Sequence, residues 1–235
     1  MIVEGFGIKI KDYGIYADLH FGIEYVLASQ GIQIPPLQLS EIVSRVSNST
    51  AKKLIIAGDI KHEFGKENPL EKRNVSKFIE KMQEKYSEII VVRGNHDNFV
   101  YYTLRDWGVD LIEYLEIDDT LIIHGHKYPR DISLKSYETI VMGHEHPAII
   151  IRDEFGTSFK IPVHAEVLHP EGYMIHVLPA TSPLALGTAL NAIVGPEDFL
   201  SPILASLEGL SNINVYAVVE NTVEPIGPLS NLQEF

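Results

Sequence analysis

Metal-binding side chains stand at the ends of short apolar runs throughout the first 150 residues of this chain. Each run has the composition of a buried strand, and each leads within a few residues into Asp, Asn or His. In open α/β sheets the ligand crevice lies outside the carboxyl ends of the strands. We therefore expect five polar segments to build one site. The segments are Asp18-Leu-His20, Gly58-Asp59, Gly94-Asn-His-Asp97, His124-Gly-His126 and Gly143-His-Glu-His146.

Seven side chains of these segments form a candidate shell for two divalent ions. Carboxylate oxygens mixed with imidazole nitrogens suit Mn, Zn or Fe better than Ca. The chain has no cysteine, which excludes a thiolate site. Asp59 is the candidate bridging carboxylate between the two ions, and we expect Mn, with Zn, Fe or Ni as alternatives. The seven are Asp18, His20, Asp59, Asn95, His124, His144 and His146.

Each motif alone also has a structural explanation. Gly-Asp after a strand is commonly a turn, and a single Asp-x-His is often a solvated or capping pair. The Gly-Asn-His-Asp and Gly-His-Glu-His segments are harder to explain by folding requirements. Six of the ten histidines lie in the five segments, and this concentration favours a functional site.

Charge limits the partners that this chain can attract. The net charge is −13, with 45% hydrophobic and 22% charged residues. Residues 1–135 carry −3, whereas residues 136–235 hold two basic and twelve acidic groups. An acidic surface repels a phosphate backbone. We expect long duplex DNA to bind poorly. No apolar run reaches the roughly 18–20 residues of a membrane span.

The apolar spacing predicts strands at 2–10 and 13–17 and helices at about 22–29 and 69–86. Pro69 suits a first helical position, and Ser40 is a candidate cap for a helix near residue 42. We expect one domain over 1–235, with the metal-bearing motifs at 13–146. Strands of a second sheet should occupy 147–220, followed by a loose tail at 225–235. The segment 179–212 has no assignment from its pattern.

The ordered motifs resemble the calcineurin-like metallophosphoesterase superfamily over about residues 13–146. The resemblance implies an α/β fold, a four-layer αββα sandwich of two mixed β-sheets flanked by helices. It also implies that His96 faces the substrate and steadies the phosphate or protonates the leaving oxygen, with Asp97 orienting His96. One metal is then held by Asp18, His20, Asp59 and His146, and the other by Asp59, Asn95, His124 and His144.

A finer resemblance to an archaeal phosphoesterase group related to the SbcD-type repair nuclease subunit rests on further segments. They are Asp18-Leu-His-Phe-Gly-Ile-Glu24, Gly31-Ile-Gln-Ile-Pro-Pro36, Gly58-Asp-Ile-Lys-His-Glu-Phe64 and Leu178-Pro-Ala-Thr-Ser-Pro183.

We predict a binuclear phosphodiesterase or phosphatase that attacks with a metal-bridging hydroxide. The alternative is a DNA-repair-associated nuclease or nuclease partner. A small phosphoester is the expected substrate, the cytoplasm is the expected location, and a homodimer remains open.

Three further residues lie in or beside the motifs. His62 either contacts substrate or is a plain loop histidine, and His126 is expected to line the mouth of the site. Glu24 either accepts a hydrogen bond from a ligand imidazole or is a carboxylate on a helix surface.

Overall fold

The computed structural model describes residues 1–65, 68–185, 187–207, 209 and 212–232. The α-helices of this part are α1 (Ile23–Ser29), α2 (Gln38–Ser47), α3 (Pro69–Gln83), α4 (Tyr101–Asp106) and α5 (Pro202–Ala205). The strands of the first half are β1 (Ile2–Glu4), β2 (Gly7–Ile10), β3 (Tyr13–Tyr16), β4 (Lys53–Ala57), β5 (Glu88–Val92), β6 (Asp110–Ile112), β7 (Leu115–Ile117) and β8 (Thr120–Ile122). Those of the second half are β9 (Thr139–Met142), β10 (Pro147–Arg152), β11 (Ser158–Leu168), β12 (Met174–Val177), β13 (Thr188–Ala189), β14 (Ile213–Val219) and β15 (Thr222–Pro228).

The described strands form two mixed sheets. The first has the order β1-β2-β3-β4-β5-β6, with β3 to β6 parallel and the first two pairs antiparallel. The second follows the path β13-β10-β11-β12-β9-β8-β7, and β14 joins it through β11 and carries β15. Its β8, β9 and β12 run parallel. The predicted pair of mixed sheets is confirmed.

Alternate residues of the parallel strands enter two different cores. Ile55 and Ala57 of β4 lie between the sheets, where they meet Ile122 and Val141 of the second sheet. Leu54 and Ile56 point the other way, into a core that includes side chains of α2 and α3. Because both faces of these strands are covered, the sequence reads as a continuous apolar run instead of an alternating one.

The outer face of the second sheet has a different cover from the first. Leu190, Ile193, Ile203 and Leu204 pack there in a third core with the sheet residues. They come from α5, which has four residues, and from short 3₁₀ and irregular segments. The predicted fourth layer is therefore present as short helical turns.

Several predicted boundaries need correction. The expected strand at 2–10 is two strands, because Gly5 turns the chain with a φ of 57°. Helix α3 begins at Pro69 as predicted and ends at Gln83, and the side chain of Asn68 caps it. Ser40 lies inside α2, whose N-cap is Leu37 without a side-chain bond.

The tail predicted to be loose from residue 225 is ordered up to residue 232. Residues up to Pro228 pair with β14, and Leu229 is buried in the core on the outer face of the second sheet. Sheet pairing and burial of one leucine explain the difference, and residues 233–235 lie outside the described part. Within the described residues, no helix has both the length and the apolar character that crossing a bilayer requires.

Candidate metal centre

The five polar segments follow the carboxyl ends of parallel strands that lie side by side. Asp18 comes two residues after β3, Asp59 two residues after β4, and Gly94 two residues after β5. In the other sheet, His124 comes two residues after β8 and His144 comes two residues after β9. The two sheets face each other across a shared core, so their strand ends converge on one site.

The backbone turns sharply at the candidate ligands. Asp18, His20, Asp59, His144 and His146 all have positive φ, between 46° and 69°. Residues other than glycine seldom adopt this conformation, which costs about 1–3 kcal/mol each and persists where the surroundings enforce it. Backbone bonds enforce it here, since Asp18 N donates to Gly58 O at 3.1 Å and His20 N to Asp59 O at 2.9 Å.

One group of donors consists of Asp18, His20 and His146. Their ligand atoms all lie within 4.8 Å of one another. His146 Nε2 lies 3.2 Å from Asp18 Oδ1 and 3.2 Å from His20 Nε2. Two imidazole nitrogens and one carboxylate oxygen therefore converge on a small volume.

A second group consists of Asp59, His124 and His144, again with ligand atoms within 4.8 Å of one another. His124 Nε2 lies 3.2 Å from Asp59 Oδ2 and 3.1 Å from Asn95 Oδ1. The amide oxygen of Asn95 thus joins this group. All seven predicted ligands are therefore brought together. With Asp59 counted in both groups, each group contains four of them.

Asp59 lies between the two groups. Its Oδ2 faces His124 of the second group at 3.2 Å and His20 of the first group at 3.8 Å. Its Oδ1 accepts a hydrogen bond from His96 N at 2.9 Å, which fixes the orientation of the carboxylate. Asp59 Oδ2 is therefore the oxygen that can serve both groups.

Burial penalises charge at every one of these groups, and their neighbours decide the result. Burial, reinforced by His146, lowers the pKa of His20 to about 3. At His124 the carboxylates of Asp59 and Asp18 outweigh burial and raise the pKa to about 9. Burial acts to raise the pKa of Asp59, but His124 and His20 outweigh it and hold that pKa well below its ordinary value. A proton on His124 therefore balances the buried carboxylates.

The other two imidazoles of the centre also have pKa values shifted in opposite directions. Burial and the nearby His124 lower the pKa of His144 to about 4. Asp18 outweighs burial at His146 and raises its pKa. His144 therefore offers a neutral nitrogen at pH 7, as a metal ligand must, whereas an ion has to displace a proton from His124.

The donor set fits divalent transition ions. Asp18 Oδ1 is buried and accepts no well-aligned hydrogen bond among the described residues, although His146 Nε2 lies 3.2 Å away. His20 Nε2 lies 3.2 Å from His146 Nε2 and His20 Nδ1 lies 3.4 Å from His62 Nδ1, so imidazole nitrogens face one another. Carboxylates, imidazoles and one amide are ligands for Mn, Zn or Fe.

Two glycines of the motifs are required by close approach. A Cβ on Gly94 would lie 2.0 Å from Asp59 Oδ1 and 2.5 Å from Asp59 N. A Cβ on Gly58, whose φ is 92°, would lie 2.2 Å from His124 Nδ1. The glycines therefore let the loops of neighbouring strands pack directly on the ligands.

His96 lies at the edge of the centre. Its Nε2 is 3.8 Å from Asp59 Oδ2, and its Nδ1 donates a hydrogen bond to the carbonyl of His62. Because Nδ1 holds its proton toward that carbonyl, Nε2 is the nitrogen that can exchange a proton at the centre.

Asp97 does not orient His96, which corrects the role implied by the resemblance. Its Oδ2 accepts from Asp59 N at 2.8 Å and Gly94 N at 2.7 Å, and its Oδ1 accepts from Ile60 N at 2.9 Å. The carboxyl group is buried beneath the loops that follow β4 and β5. Asp97 therefore holds the backbone that positions Asp59, and the carbonyl of His62 orients His96.

The two expected substrate histidines both lie at the centre. His62 and His96 have nearly parallel rings 5.5 Å apart, and burial lowers the pKa of His62. His126 lines a cleft of about 440 Å³ beside His124, and burial, with His124 nearby, lowers its pKa to about 4.

Glu24 and Gln38 show how the loop after β3 is supported. Glu24 Oε1 accepts from Gln38 N at 2.8 Å, so it does not act as an acceptor for a ligand imidazole in the described structure. The side chain of buried Gln38 donates to His20 O at 2.8 Å. The sequence carries no signal for this role, because Gln38 lies outside the motifs, 18 residues from its acceptor.

Comparison with known proteins was consistent with this geometry. The family model described as calcineurin-like phosphoesterase matches residues 13–173. The nuclease MPE of Pseudomonas putida is similar, with a TM-score of 0.60, 18% identity, 92% of this chain covered and 88% of that chain. This likeness shows a shared fold.

The phosphoesterase Yfce of E. coli is more distant, with a TM-score of 0.45, 17% identity, 92% of this chain covered and 98% of that chain. That value is too low to carry an argument. No curated protein matches the chain. The family match covers more than half of the residues, and the chain belongs to the calcineurin-like phosphoesterase family, whose members are metal-dependent hydrolases of phosphoester bonds.

Proposed function

We propose that this chain hydrolyses a small phosphoester with two divalent ions that share Asp59. The observation that carries the proposal is the position of Asp59 Oδ2, which faces His124 on one side and His20 on the other. A bridging carboxylate must reach both ions, and these two distances support Asp59 in that role. The ligand sets proposed are Asp18, His20, Asp59 and His146 for one ion, and Asp59, Asn95, His124 and His144 for the other.

Bound divalent ions supply a water of lowered pKa and hold the phosphate oxygens. Hydrolysis joins the water oxygen to phosphorus, breaks the ester P–O bond and requires a proton on the leaving oxygen. His96 is proposed to give that proton from Nε2, and the engagement of its Nδ1 with the carbonyl of His62 supports this role. Such assistance is worth roughly 10²–10⁴-fold in rate.

Mn is the proposed ion, with Zn, Fe and Ni as alternatives. The proposal rests on the mixture of carboxylate oxygens, imidazoles and one amide, which suits these ions better than Ca or Mg. His62 and His126 are proposed to contact the substrate, because both lie beside the ligands.

The cations near the centre favour a small ester over duplex DNA. The basic residues of the metal-bearing loops include Lys61, Lys66, Lys127 and Arg130. Lys61 is buried and donates to the carbonyls of Glu63 and Gly65, so it does not act as a surface cation. Lys127 forms an ion pair with Glu113 at 3.0 Å. Lys66 lies outside the described residues. Long duplex DNA requires many phosphate contacts, and Lys61 and Lys127, as the structure describes them, are already engaged with groups of the protein.

A DNA-repair-associated nuclease or nuclease partner is the second proposal, and a neighbour described as a nuclease keeps it open. Cytoplasmic location, a homodimer and a single domain stay predictions.

Metal analysis and kinetics of two variants test the main proposal. Mn-loaded protein should contain two ions per chain and hydrolyse bis-p-nitrophenyl phosphate or p-nitrophenyl phosphate. His96→Ala should keep both ions and lose roughly 10²–10⁴-fold in kcat. His169→Ala is the matched control, because His169 stacks on Tyr173 outside the centre.

A metal content fixed at one or zero under saturating conditions would contradict the two-ion proposal. Loss of metal from His96→Ala would show that His96 is a ligand and not an acid.

A further inference from the structure

An exposed phenylalanine lies on the ring of His96. The ring centroids of Phe64 and His96 are 3.8 Å apart and the planes differ by 29°. Phe64 is nevertheless 58% exposed. Single exposed apolar residues are common on proteins, but this one covers the residue proposed to act on the leaving oxygen. Its outer face is therefore open beside the reacting position.

The loop that carries Phe64 is held from both sides. Lys61 Nζ donates to the carbonyls of Glu63 and Gly65, the residues that flank Phe64. Asn98 Nδ2 donates to Phe64 O at 3.2 Å, which ties this loop to the segment after His96. These bonds hold the backbone on both sides of Phe64, and the stack on His96 restricts its ring. A restricted planar surface loses little entropy when another ring stacks on it.

A cationic cleft lies beside the other end of the centre. It has a volume of about 440 Å³ and is lined by His124, His126, Arg93, Lys127 and Arg130, with Glu113 and Asp131. Arg93 Nε and Lys127 Nζ each contact Glu113, at 3.2 Å and 3.0 Å. The cleft therefore offers three cations against two carboxylates next to a candidate metal ligand, an arrangement that suits a second phosphate.

We propose that the ester hydrolysed here carries an unpaired nucleobase, which stacks on the outer face of Phe64. The inference rests on the proposed function and names its substrate class as a nucleotide phosphodiester. Every base presents a flat π surface, so stacking on Phe64 tolerates any sequence. Bases in a duplex are stacked on one another already, which agrees with the expected poor binding of duplex DNA.

The test compares substrates that differ only in their bases. The dinucleotide dTpdT and an analogue with tetrahydrofuran in place of both thymidines share the same diester. Mn-loaded wild-type protein should prefer dTpdT by about 5- to 150-fold in kcat/KM, the range of base–aromatic stacking. Calorimetry should give a similar preference for thymidine 5′-monophosphate over deoxyribose 5-phosphate.

Substitution of Phe64 separates stacking from support of His96. Phe64→Leu should reduce both preferences to less than about 2-fold, whereas Phe64→Tyr should keep them. Phe155→Leu is the control, because Phe155 is an 85% exposed phenylalanine in the turn between β10 and β11. Metal content should be the same in all variants.

An equal loss on both substrates in Phe64→Leu would overturn the inference, because Phe64 would then only position His96. A wild-type protein that cleaves bis-p-nitrophenyl phosphate without any preference for dTpdT would also overturn it and leave the proposed function intact. Failure of Mn-loaded wild type on every ester would instead refute the proposed function. The affinities of a twelve-residue thymidine strand and of dTpdT are then compared. Tighter binding of the strand indicates that the base belongs to a longer single strand, and equal binding indicates a small nucleotide.

Discussion

Replacement of Asp97 by asparagine should weaken the fold, although the residue lies in the Gly-Asn-His-Asp motif. The carboxylate accepts backbone hydrogen bonds from Asp59, Ile60 and Gly94 at 2.8, 2.9 and 2.7 Å. An amide has one acceptor oxygen and two N–H donors. If the oxygen of Asp97→Asn keeps Asp59 N and Gly94 N, which share Oδ2 in the native site, the new NH₂ group faces Ile60 N.

The expected loss follows from these contacts. One buried donor without an acceptor costs about 1–3 kcal/mol, and two bonds lose the contribution of the charge. We expect the free energy of unfolding to fall by about 2–5 kcal/mol, a large part of the 5–15 kcal/mol typical of folded proteins. The displaced loops should also weaken metal binding, because Asp59 N is one of the groups held.

Urea unfolding of metal-free protein at pH 7.5, followed by circular dichroism, measures the loss. Burial, with Asp59 nearby, raises the pKa of Asp97 to about 6, so the carboxyl group is ionised in wild type at this pH. Asp106→Asn is the control, because Asp106 is exposed and pairs with Arg105 at 3.5 Å. A stability within about 0.5 kcal/mol of wild type, together with a kcat as low as that of His96→Ala, would refute the argument and restore Asp97 as the residue that orients His96.

Further predictions concern the metal centre and its substrate. Asp59→Asn should lose most of the metal and nearly all activity, since the carboxylate serves both groups; elemental analysis that still finds two ions would contradict the shared role. Mn affinity should rise with pH up to about 9, the pKa to which Asp59 and Asp18 raise His124, because an ion must displace that proton. In the metal-free protein the same proton on His124 should stabilise the fold fully below the ordinary histidine pKa of 6.5 and progressively less as the pH passes about 9. Mn titrations between about pH 6 and 9.5 measure the change in affinity, and urea unfolding over the same range measures the change in stability. Gly94→Ala should expel metal, because the added Cβ would lie 2.0 Å from Asp59 Oδ1, while Gly65→Ala has open space and should retain it; equal metal content in the two would refute the close-approach argument. Hydrolysis of small esters should change little between about 50 and 200 mM salt, and a steep salt slope with tight duplex binding would favour the nuclease alternative.

Much of the fold was predictable because the parallel strands are buried on both faces. Residues 54–57 and 89–92 are continuous apolar runs, and their boundaries in the structure agree with that pattern. The ends of the chain were harder to predict. The tail beyond residue 225 has polar and proline residues typical of a loop, yet it pairs with β14 because that strand presents a free edge. Pairing at a sheet edge depends on which strands lie beside each other in the fold, and the local amino-acid composition of the tail does not predict that arrangement.

The sequence by itself determined the chemical nature of the centre, since Asp, Asn and His placed after apolar runs specify both the donor atoms and the strand ends that carry them. The resemblance implied how the donors group, whereas their distances and the backbone contacts of Asp97 came only from the tertiary structure. Both depend on the packing of two sheets whose loops approach through Gly58 and Gly94. The position of Phe64 on His96 was likewise decided by tertiary contacts, because the loop after β4 meets the loop after β5 only in the folded sheet. Side-chain type is written in the sequence, whereas distances between residues far apart in the chain arise only when the sheets pack.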